Sequence, residues 1–150
     1  MMQVREIMSK EAKCCSPTAS LIEVARLMVE EDCGEIPVCD ESGKPVGVLT
    51  DRDIVCRLVA KGKEPTTLSA RDAMSSPVVT VTPDTSLEDC ARLMEQYKVR
   101  RLPVVDEQGR CVGMVAQADL ATKGPRDTTI EVVSKVSEPN AFASSVGGTR

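Results

Sequence analysis

Apolar residues recur along the chain at spacings that predict two successive sets of a strand, a helix, two strands and a second helix. In the second set, Leu87, Cys90 or Ala91, and Met94 follow helical spacing, and short β-rich runs lie on either side of them. The strands predicted for the first set are 14–15, 36–39 and 46–49, and those for the second set are 78–81, 102–105 and 111–115. The helices predicted after the last strand of each set are 51–60 and a segment that begins near Gln117.

Polar residues mark the beginning of the first helix in each set. A hydroxyl residue followed three positions later by an acidic residue is the pattern of a capping box, in which each side chain bonds to the other residue's backbone. The candidate pairs are Ser20 with Glu23 in the first set, and Ser86 with Asp89 or Thr85 with Glu88 in the second.

The two sets are copies of each other, because the chain aligns with itself without a gap after a shift of 66 positions. Two copies of this length predict two small domains of mixed α/β class packed as a pseudo-symmetric pair, since neither copy buries enough surface alone. The matched segments include 5–9 with 71–75, 25–28 with 91–94, 36–38 with 102–104, and 46–47 with 112–113. The predicted organisation is a first domain at 1–60, a linker at 61–69, a second domain at 70–124, and a short C-terminal helix with a frayed tail at 125–150.

Composition excludes several classes of function. The net charge is −4, which disfavours nucleic acid and acidic membranes as partners because both select basic surfaces. Tyr97 and Phe142 are the only aromatic residues, so the stacking platform of a single-strand binder is missing. Residues 1–10 lack the apolar core of a secretion signal, and no run is long enough to span a bilayer. These features predict a cytoplasmic protein.

Seven cysteines and the absence of histidine restrict metal and redox chemistry. An odd number of cysteines cannot form a complete intramolecular disulfide framework, and the predicted compartment keeps thiols reduced. Without histidine, zinc or copper would need a site made of thiolates alone. We interpret the cysteines as small core residues rather than metal ligands, with a redox role left open for an exposed thiol. The adjacent pair Cys14 and Cys15 is expected to point to opposite faces of a strand.

Both copies resemble CBS domains, the modules named after cystathionine β-synthase. The first copy carries 47-GVLTDRD-53, which matches the family's Gly-x-x-Thr-x-x-Asp signature. The resemblance covers roughly residues 4–122. The second copy is the closer match, through Met74-Ser75, 78-VVTV-81, 83-PDTSL-87, 101-RLPVVD-106, Gly109 and Val112-Gly113.

The resemblance implies a fold and a class of function. Two CBS domains form a pseudo-twofold pair whose small three-stranded sheets face each other, and such pairs usually dimerise through their helices. They bind adenosine-containing ligands in the clefts between the repeats. The chain is therefore expected to be a homodimer that binds AMP, or ADP, ATP, NAD or S-adenosylmethionine. A single phosphate suits one helix start and one arginine, which makes AMP the first candidate.

The first predicted cleft is built around Thr50, Arg52 and Asp53. A helix start presents free backbone N–H groups to a phosphate, a hydroxyl can bond to phosphate or ribose, and a carboxylate can accept from ribose hydroxyls. The resemblance assigns ribose to Asp53 and phosphate to Thr50. The same spacing also describes a simple capping box, which spacing alone favours. The facing residues implied by the family pattern are Val78, Val79, Thr80, Val99, Arg100, Arg101, Leu102 and Pro103.

Three basic residues near this cleft, Lys98, Arg100 and Arg101, have a second interpretation. They can mark the solvent-exposed end of a helix, where cations are favourable. We adopt that interpretation for Lys98. For Arg101, stacking on the base and contact with phosphate stay open beside it.

The second predicted cleft departs from the pattern. Asp119 is present for ribose, but Ala116 replaces the hydroxyl residue and Ala118 replaces the arginine. A carboxylate repels phosphate, and Glu35 stands where the first cleft has Arg101. We therefore predict that the second site binds more weakly, is empty, or holds an uncharged or differently oriented ligand. Its facing residues are Lys13, Cys14, Gly34, Glu35, Ile36 and Pro37.

No catalytic constellation is present in the sequence. Histidine, the commonest general base, is missing, and no phosphate loop occurs. The leading hypothesis is a non-catalytic regulatory module that senses an adenine nucleotide and signals to a protein partner. The alternatives are a ligand-free interaction scaffold and a thiol-based redox-responsive protein.

Overall fold

The structure is a computed structural model, and it describes residues 2–124. Short helices alternate with β-hairpins in both halves. The strands are β1 (Ser9–Lys10), β2 (Glu35–Cys39), β3 (Pro45–Thr50), β4 (Arg101–Val105) and β5 (Cys111–Ala116). The α-helices are α1 (Leu21–Glu30), α2 (Asp51–Arg57), α3 (Ala70–Ala73), α4 (Leu87–Tyr97) and α5 (Gln117–Lys123). Single 3-10 turns lie at Val4–Glu6, Val59–Lys61 and Pro65–Thr67.

Two small antiparallel sheets form the centre of the fold, which confirms the mixed α/β class. Strands β2 and β3 form one hairpin, and β4 and β5 form the other with β1 on the outer side of β5. In the first sheet, the position that β1 takes in the second is held by a single antiparallel bridge between Val48 and Ser75. The second sheet thus has three strands as predicted, but its third strand is β1 from the first repeat and not the predicted segment 78–81, whereas the first sheet has two strands and this bridge.

Each half takes its outer segment from the other repeat. Ser9, from the first repeat, pairs with Met114 in β5 of the second. Ser75, from the second repeat, bridges to Val48 in β3 of the first, and the backbone bonds between these two residues are 2.9 and 3.0 Å long. The halves are therefore tied together by reciprocal exchange, which periodicity in the sequence did not reveal.

A glycine permits this exchange at β3. A Cβ atom on Gly47 would lie 2.7 Å from Sδ of Met74 and 2.9 Å from the carbonyl oxygen of Ser75. Only a residue without a side chain lets the exchanged segment approach this closely. Gly113 holds the equivalent position in β5, where its Cβ would collide with the backbone of Ser9.

The exchange also divides the hydrophobic core into two clusters. Each cluster combines a helix and a hairpin of one repeat with apolar residues from the start of the other. The first includes Leu21, Val24, Ile36, Val38 and Leu49 together with Ala70 and Ala73 from the second repeat. The second includes Leu87, Cys90, Met94, Leu102 and Val115 together with Val4 and Ile7 from the first repeat.

The strands predicted at 14–15 and 78–81 are wrong in extent, because each is reduced to one bridged residue. Cys15 bridges to Val38, and Val81 bridges to Val104, both in parallel. The next backbone hydrogen bond of the pairing at Cys15 would need an N–H group from Pro37, and that of the pairing at Val81 would need one from Pro103. Proline has no backbone N–H group. Proline within the hairpin strand thus ends the parallel pairing after one step.

The helix starts agree with the predicted serine caps, although among the described residues only the serine half of each predicted capping box is formed. Ser20 accepts a bond from the backbone N–H of Glu23 at 3.1 Å, and Ser86 accepts from Asp89 at 3.1 Å. Ser86, rather than Thr85, is therefore the cap of α4. The helix predicted at 51–60 is shorter than expected, since α2 ends at Arg57 and a 3-10 turn follows.

Two further expectations concern the ends of the chain and membranes. The C-terminal helix and tail predicted at 125–150 lie outside the described residues. None of the helices found between residues 2 and 124 combines the length and the apolar character that crossing a bilayer requires.

Candidate functional site

The start of α2 has the geometry of a complete capping box. The backbone N–H of Asp53 donates to Oγ1 of Thr50 at 3.0 Å, and the backbone N–H of Thr50 donates to Oδ2 of Asp53 at 2.9 Å. Nε of Arg57 lies 3.8 Å from Oδ1 of Asp53. The capping interpretation is thus confirmed, and it holds both side chains at the helix start in fixed positions.

The start of α5 repeats half of this arrangement. The backbone N–H of Ala116 donates to Oδ2 of Asp119 at 2.8 Å, and Nζ of Lys123 lies 4.0 Å from Oδ1 of Asp119. Ala116 has no hydroxyl group, so the side chain that would meet a phosphate in the first site has no counterpart here. The two helix starts are therefore chemically unequal.

Glu35 is the most unusual ionisable group near α2. It pairs with Thr50 across the β2–β3 hairpin, and its Oε2 is buried without a hydrogen-bond partner. Burial raises the pKa of Glu35 to about 7. The Arg101 guanidinium opposes this rise, and the Asp53 carboxylate adds to it. Glu35 can therefore exchange a proton near neutral pH, between charges from both halves of the molecule.

This neighbourhood differs from the division made on the sequence, which placed Glu35 in one cleft and Arg101 with Asp53 in the other. Strand pairing puts Glu35 beside Thr50 and Arg101 beside Ala116, each on its own hairpin. The Glu35 carboxylate nevertheless interacts with both Arg101 and Asp53. The structure thus brings these three groups into one charged neighbourhood.

The other predicted site residues fall into two groups. The side chains of Ile36 and Leu102 are 1% exposed and belong to the two cores, so their backbones alone are available to a ligand. The carbonyl oxygens of Pro37 and Pro103 accept bonds from Cys15 and Val81. The remaining members are exposed or half-buried and adjoin the hairpins: Lys13, Cys14, Gly34, Arg52, Val78, Val79, Thr80, Val99 and Arg100.

A groove of about 560 Å³ opens on another part of the surface, beside α1. Its lining includes Cys14, Glu23, Arg26 and Leu27. Cys14 is the one residue that this groove shares with either predicted cleft. The groove is therefore a separate feature from the start of α2.

A cluster of three thiols was missed by the sequence analysis. The Sγ atoms of Cys14, Cys39 and Cys111 all lie within 4.8 Å of one another. Hydrogen bonds with the other two thiols lower the pKa of Cys111 to about 3, and the hydrogen bond with Cys111 raises the pKa of Cys14 to about 12. The interpretation of the cysteines as small core residues holds for Cys90, which is fully buried among apolar residues. It does not describe Cys14, Cys39 and Cys111, whose thiols contact one another.

Comparison of the two repeats gives a sequence signal for the thiol cluster. At the equivalent positions of the other repeat, Cys14 corresponds to Thr80 and Cys39 corresponds to Val105. Cys111 corresponds to Pro45. Three cysteines thus stand where the matching copy has none, although only the folded chain shows that they meet.

A family model and two relatives match most of the chain. The CBS domain model matches residues 4–60 and 70–124. Hypoxic response protein 1 of Mycobacterium tuberculosis is 34% identical over 144 residues, which cover 96% of this chain and 100% of that protein. An uncharacterised protein of Methanopyrus kandleri is 36% identical over 122 residues, which are 81% of this chain and 62% of that protein.

Solved structures show the same architecture. A crystal structure of Hypoxic Response Protein I with two coordinated zinc ions has a TM-score of 0.76 and 35% identity, covering 83% of this chain and 100% of that one. The CBS domain pair of protein MJ0100, in complex with 5′-methylthioadenosine and S-adenosyl-L-methionine, has a TM-score of 0.73 and 29% identity. That match covers 81% of this chain and 94% of the other. The chain therefore belongs to the CBS domain family and carries two copies of the domain in tandem.

Proposed function

We propose that this chain is a non-catalytic regulatory module that senses an adenine nucleotide, with AMP as the first candidate, in the cleft at the start of α2. The observation that carries the proposal is the capping box that fixes Thr50 and Asp53 at the start of α2, where Glu35 interacts both with the Asp53 carboxylate and with the Arg101 guanidinium from the other half of the molecule. The related CBS pair of protein MJ0100 binds two adenosine-containing ligands, which supports this class of ligand.

The residues at this helix start suit the parts of a nucleotide. Asp53 offers a carboxylate to ribose hydroxyls, and Thr50 offers a hydroxyl to ribose or phosphate. Arg52, exposed in the first turn, supplies a cation for the phosphate. The adenine would lie against backbone from the other repeat, with the facing segments at 78–80 and 99–103. An aromatic sandwich is not part of the proposal, since the sequence provides no aromatic residue there.

Glu35 decides how well a phosphate is tolerated. As a carboxylate beside Asp53 it repels an anion, whereas its protonated form adds no charge. With a pKa of about 7, Glu35 can be neutral when the ligand binds. The proposal therefore includes proton uptake by Glu35 on nucleotide binding.

The second cleft is proposed to bind more weakly. Asp119 can accept from ribose, but Ala116 gives no hydroxyl to a phosphate. The ligand would then be held through its sugar and base alone. An uncharged adenosine derivative fits this site better than a nucleotide does.

Thermal unfolding of the full chain with AMP, ADP, ATP, NAD and S-adenosylmethionine tests the proposal. A ligand at 100 times its dissociation constant stabilises the folded state by about 2.7 kcal/mol. We expect the gain in melting temperature to be largely lost in Asp53→Asn. Asp119→Asn is the matched control, because it alters the same cap of the other helix, and it should keep most of the gain.

Two results of this experiment would count against the proposal. If none of these ligands raises the melting temperature of the unmodified chain, the module is a ligand-free interaction scaffold. Equal losses in the Asp53 and Asp119 variants would contradict the assignment of the stronger site to α2.

A homodimer is also proposed. Large apolar side chains remain exposed on helical segments of the single chain: Val29 is 82% exposed, Val59 64%, Val55 56% and Tyr97 49%. Burial of such side chains against a second copy would favour association. Light scattering after size-exclusion chromatography measures the mass, and a monomer at micromolar concentration would contradict the proposal.

A further inference from the structure

Three thiol groups converge where the two halves of the molecule meet. Cys14 lies just before the bridged residue Cys15, Cys39 is the last residue of β2, and Cys111 is the first residue of β5. Two of the thiols therefore come from the first repeat and one from the second. Their three Sγ atoms lie within 4.8 Å of one another.

Backbone contacts hold the three segments in place independently of the thiols. The N–H of Cys39 donates to the carbonyl oxygen of Cys15 at 2.9 Å, which fixes the first two segments together. The N–H of Cys111 donates to the carbonyl oxygen of Gly43 at 2.9 Å, which brings the tip of the second hairpin to the first. The cluster is thus preorganised by hydrogen bonds that do not involve sulfur.

The fold does not require cysteine at these positions. The other repeat builds the equivalent place from Thr80, Val105 and Pro45. Because Thr80 and Val105 occupy the same backbone positions as Cys14 and Cys39, just before the bridged residue and at the paired end of the hairpin strand, packing alone does not explain cysteine at those two positions. Within residues 2–124, this trio is also the one group of His, Cys, Asp or Glu side chains close enough to share a metal ion.

We propose that Cys14, Cys39 and Cys111 bind a soft d10 metal cation, Zn²⁺ or Cu⁺, through three thiolates that join the two halves. Metal–sulfur bonds of about 2.3 Å place three thiolates about 3.8–4.0 Å apart, which the observed cluster meets with little movement. Thiolate ligands select zinc and monovalent copper over harder cations.

The two cations complete their coordination differently. Cu⁺ is satisfied by three thiolates, whereas tetrahedral Zn²⁺ takes a water molecule as its fourth ligand. Thiols that still carry a proton release it to solvent when the metal binds, and no electron is transferred. The cation then ties Cys111 of the second half to Cys14 and Cys39 of the first.

The test uses the purified full chain, reduced and free of metal. Zn²⁺ is titrated against a chromophoric chelator, and Cu⁺ is titrated without oxygen against a Cu⁺-specific chelator. Co²⁺ in place of zinc reports sulfur ligation through its thiolate charge-transfer absorption. We expect one cation per chain, and the tighter of the two titrations identifies the metal.

The variants Cys14→Thr and Cys39→Val install the residues that the other repeat uses at these positions. Each should weaken metal binding at least as much as the loss of an outer-shell partner, which is about 10–100-fold. Cys56→Ser is the control, since Cys56 is exposed and lies outside the cluster. Its affinity should equal that of the unmodified chain.

A second measurement keeps the test valid if a variant does not fold. Bound metal should slow alkylation of Cys14 and Cys111 in the unmodified chain, with Cys56 unaffected, as mapped by mass spectrometry. The proposal is overturned if the reduced chain binds neither cation, or if the cluster variants bind as tightly as the Cys56 variant. Formation of a disulfide within the trio that metal does not prevent would also overturn it, and would assign these thiols to redox chemistry.

Discussion

Replacement of Glu35 by glutamine gives a quantitative test of the charged neighbourhood at α2. The change keeps the size and shape of the side chain but removes the carboxylate, whose Oε2 is buried without a partner. The cost of ionising this group in the folded state should disappear with it. The variant is therefore expected to be more stable than the unmodified chain wherever Glu35 would be ionised.

The size of the expected gain in stability follows from the pKa of Glu35. Burial raises the pKa of Glu35 from 4.5 to about 7. The difference of about 2.5 pKa units corresponds to at most about 3 kcal/mol, at 1.36 kcal/mol per unit. Part of the side chain remains accessible, so a gain of about 1–3 kcal/mol is expected.

The direction of the change in stability with pH is set by proton binding at Glu35. Between pH 4.5 and 7 the folded state binds the Glu35 proton more tightly than the unfolded chain does, so stability falls as the pH rises. Below pH 4.5 both states are protonated, and the cost vanishes. Above pH 7 the full cost is present. The gain from Glu35→Gln should accordingly be near zero at pH 4.5 and largest at pH 8.

Urea unfolding at pH 5 and pH 8 measures this difference as a change in the free energy of unfolding. Glu41→Gln is the matched control, because Glu41 is exposed in the turn between β2 and β3. Its effect should be small and the same at both pH values. A constant effect of Glu35→Gln across this range, or a loss of stability at pH 8, would refute the reasoning.

Two further predictions concern packing. Gly47→Ala should destabilise the fold by about 1–3 kcal/mol, because the new Cβ would meet Sδ of Met74 at 2.7 Å and push the exchanged segment away from β3; an unchanged urea midpoint would show that this approach is not tight. Leu49→Ala should cost about 2–5 kcal/mol, since Leu49 is fully buried. Glu41→Ala in the exposed turn between β2 and β3 is its control and should change stability by less than about 0.5 kcal/mol, and equal losses would contradict the assigned core.

The sequence alone was sufficient for features that depend on neighbouring residues or on the repeat. The 66-residue shift predicted two copies of one unit, and the caps at Ser20 and Ser86 followed from residues three positions apart. The capping box of Thr50 and Asp53 was predicted for the same reason. Local patterns of this kind are decided within a single helical turn, so they survive in the folded chain.

Features that join distant residues were decided by the tertiary structure. The exchange of Ser9 and Ser75 between halves depends on contacts across the two repeats, and periodicity within one repeat holds no information about them. The burial of Oε2 of Glu35 and the meeting of the three thiols have the same origin. Residue type shows what a side chain can do, but the environment that shifts its pKa or supplies its partners exists only after the halves have packed together.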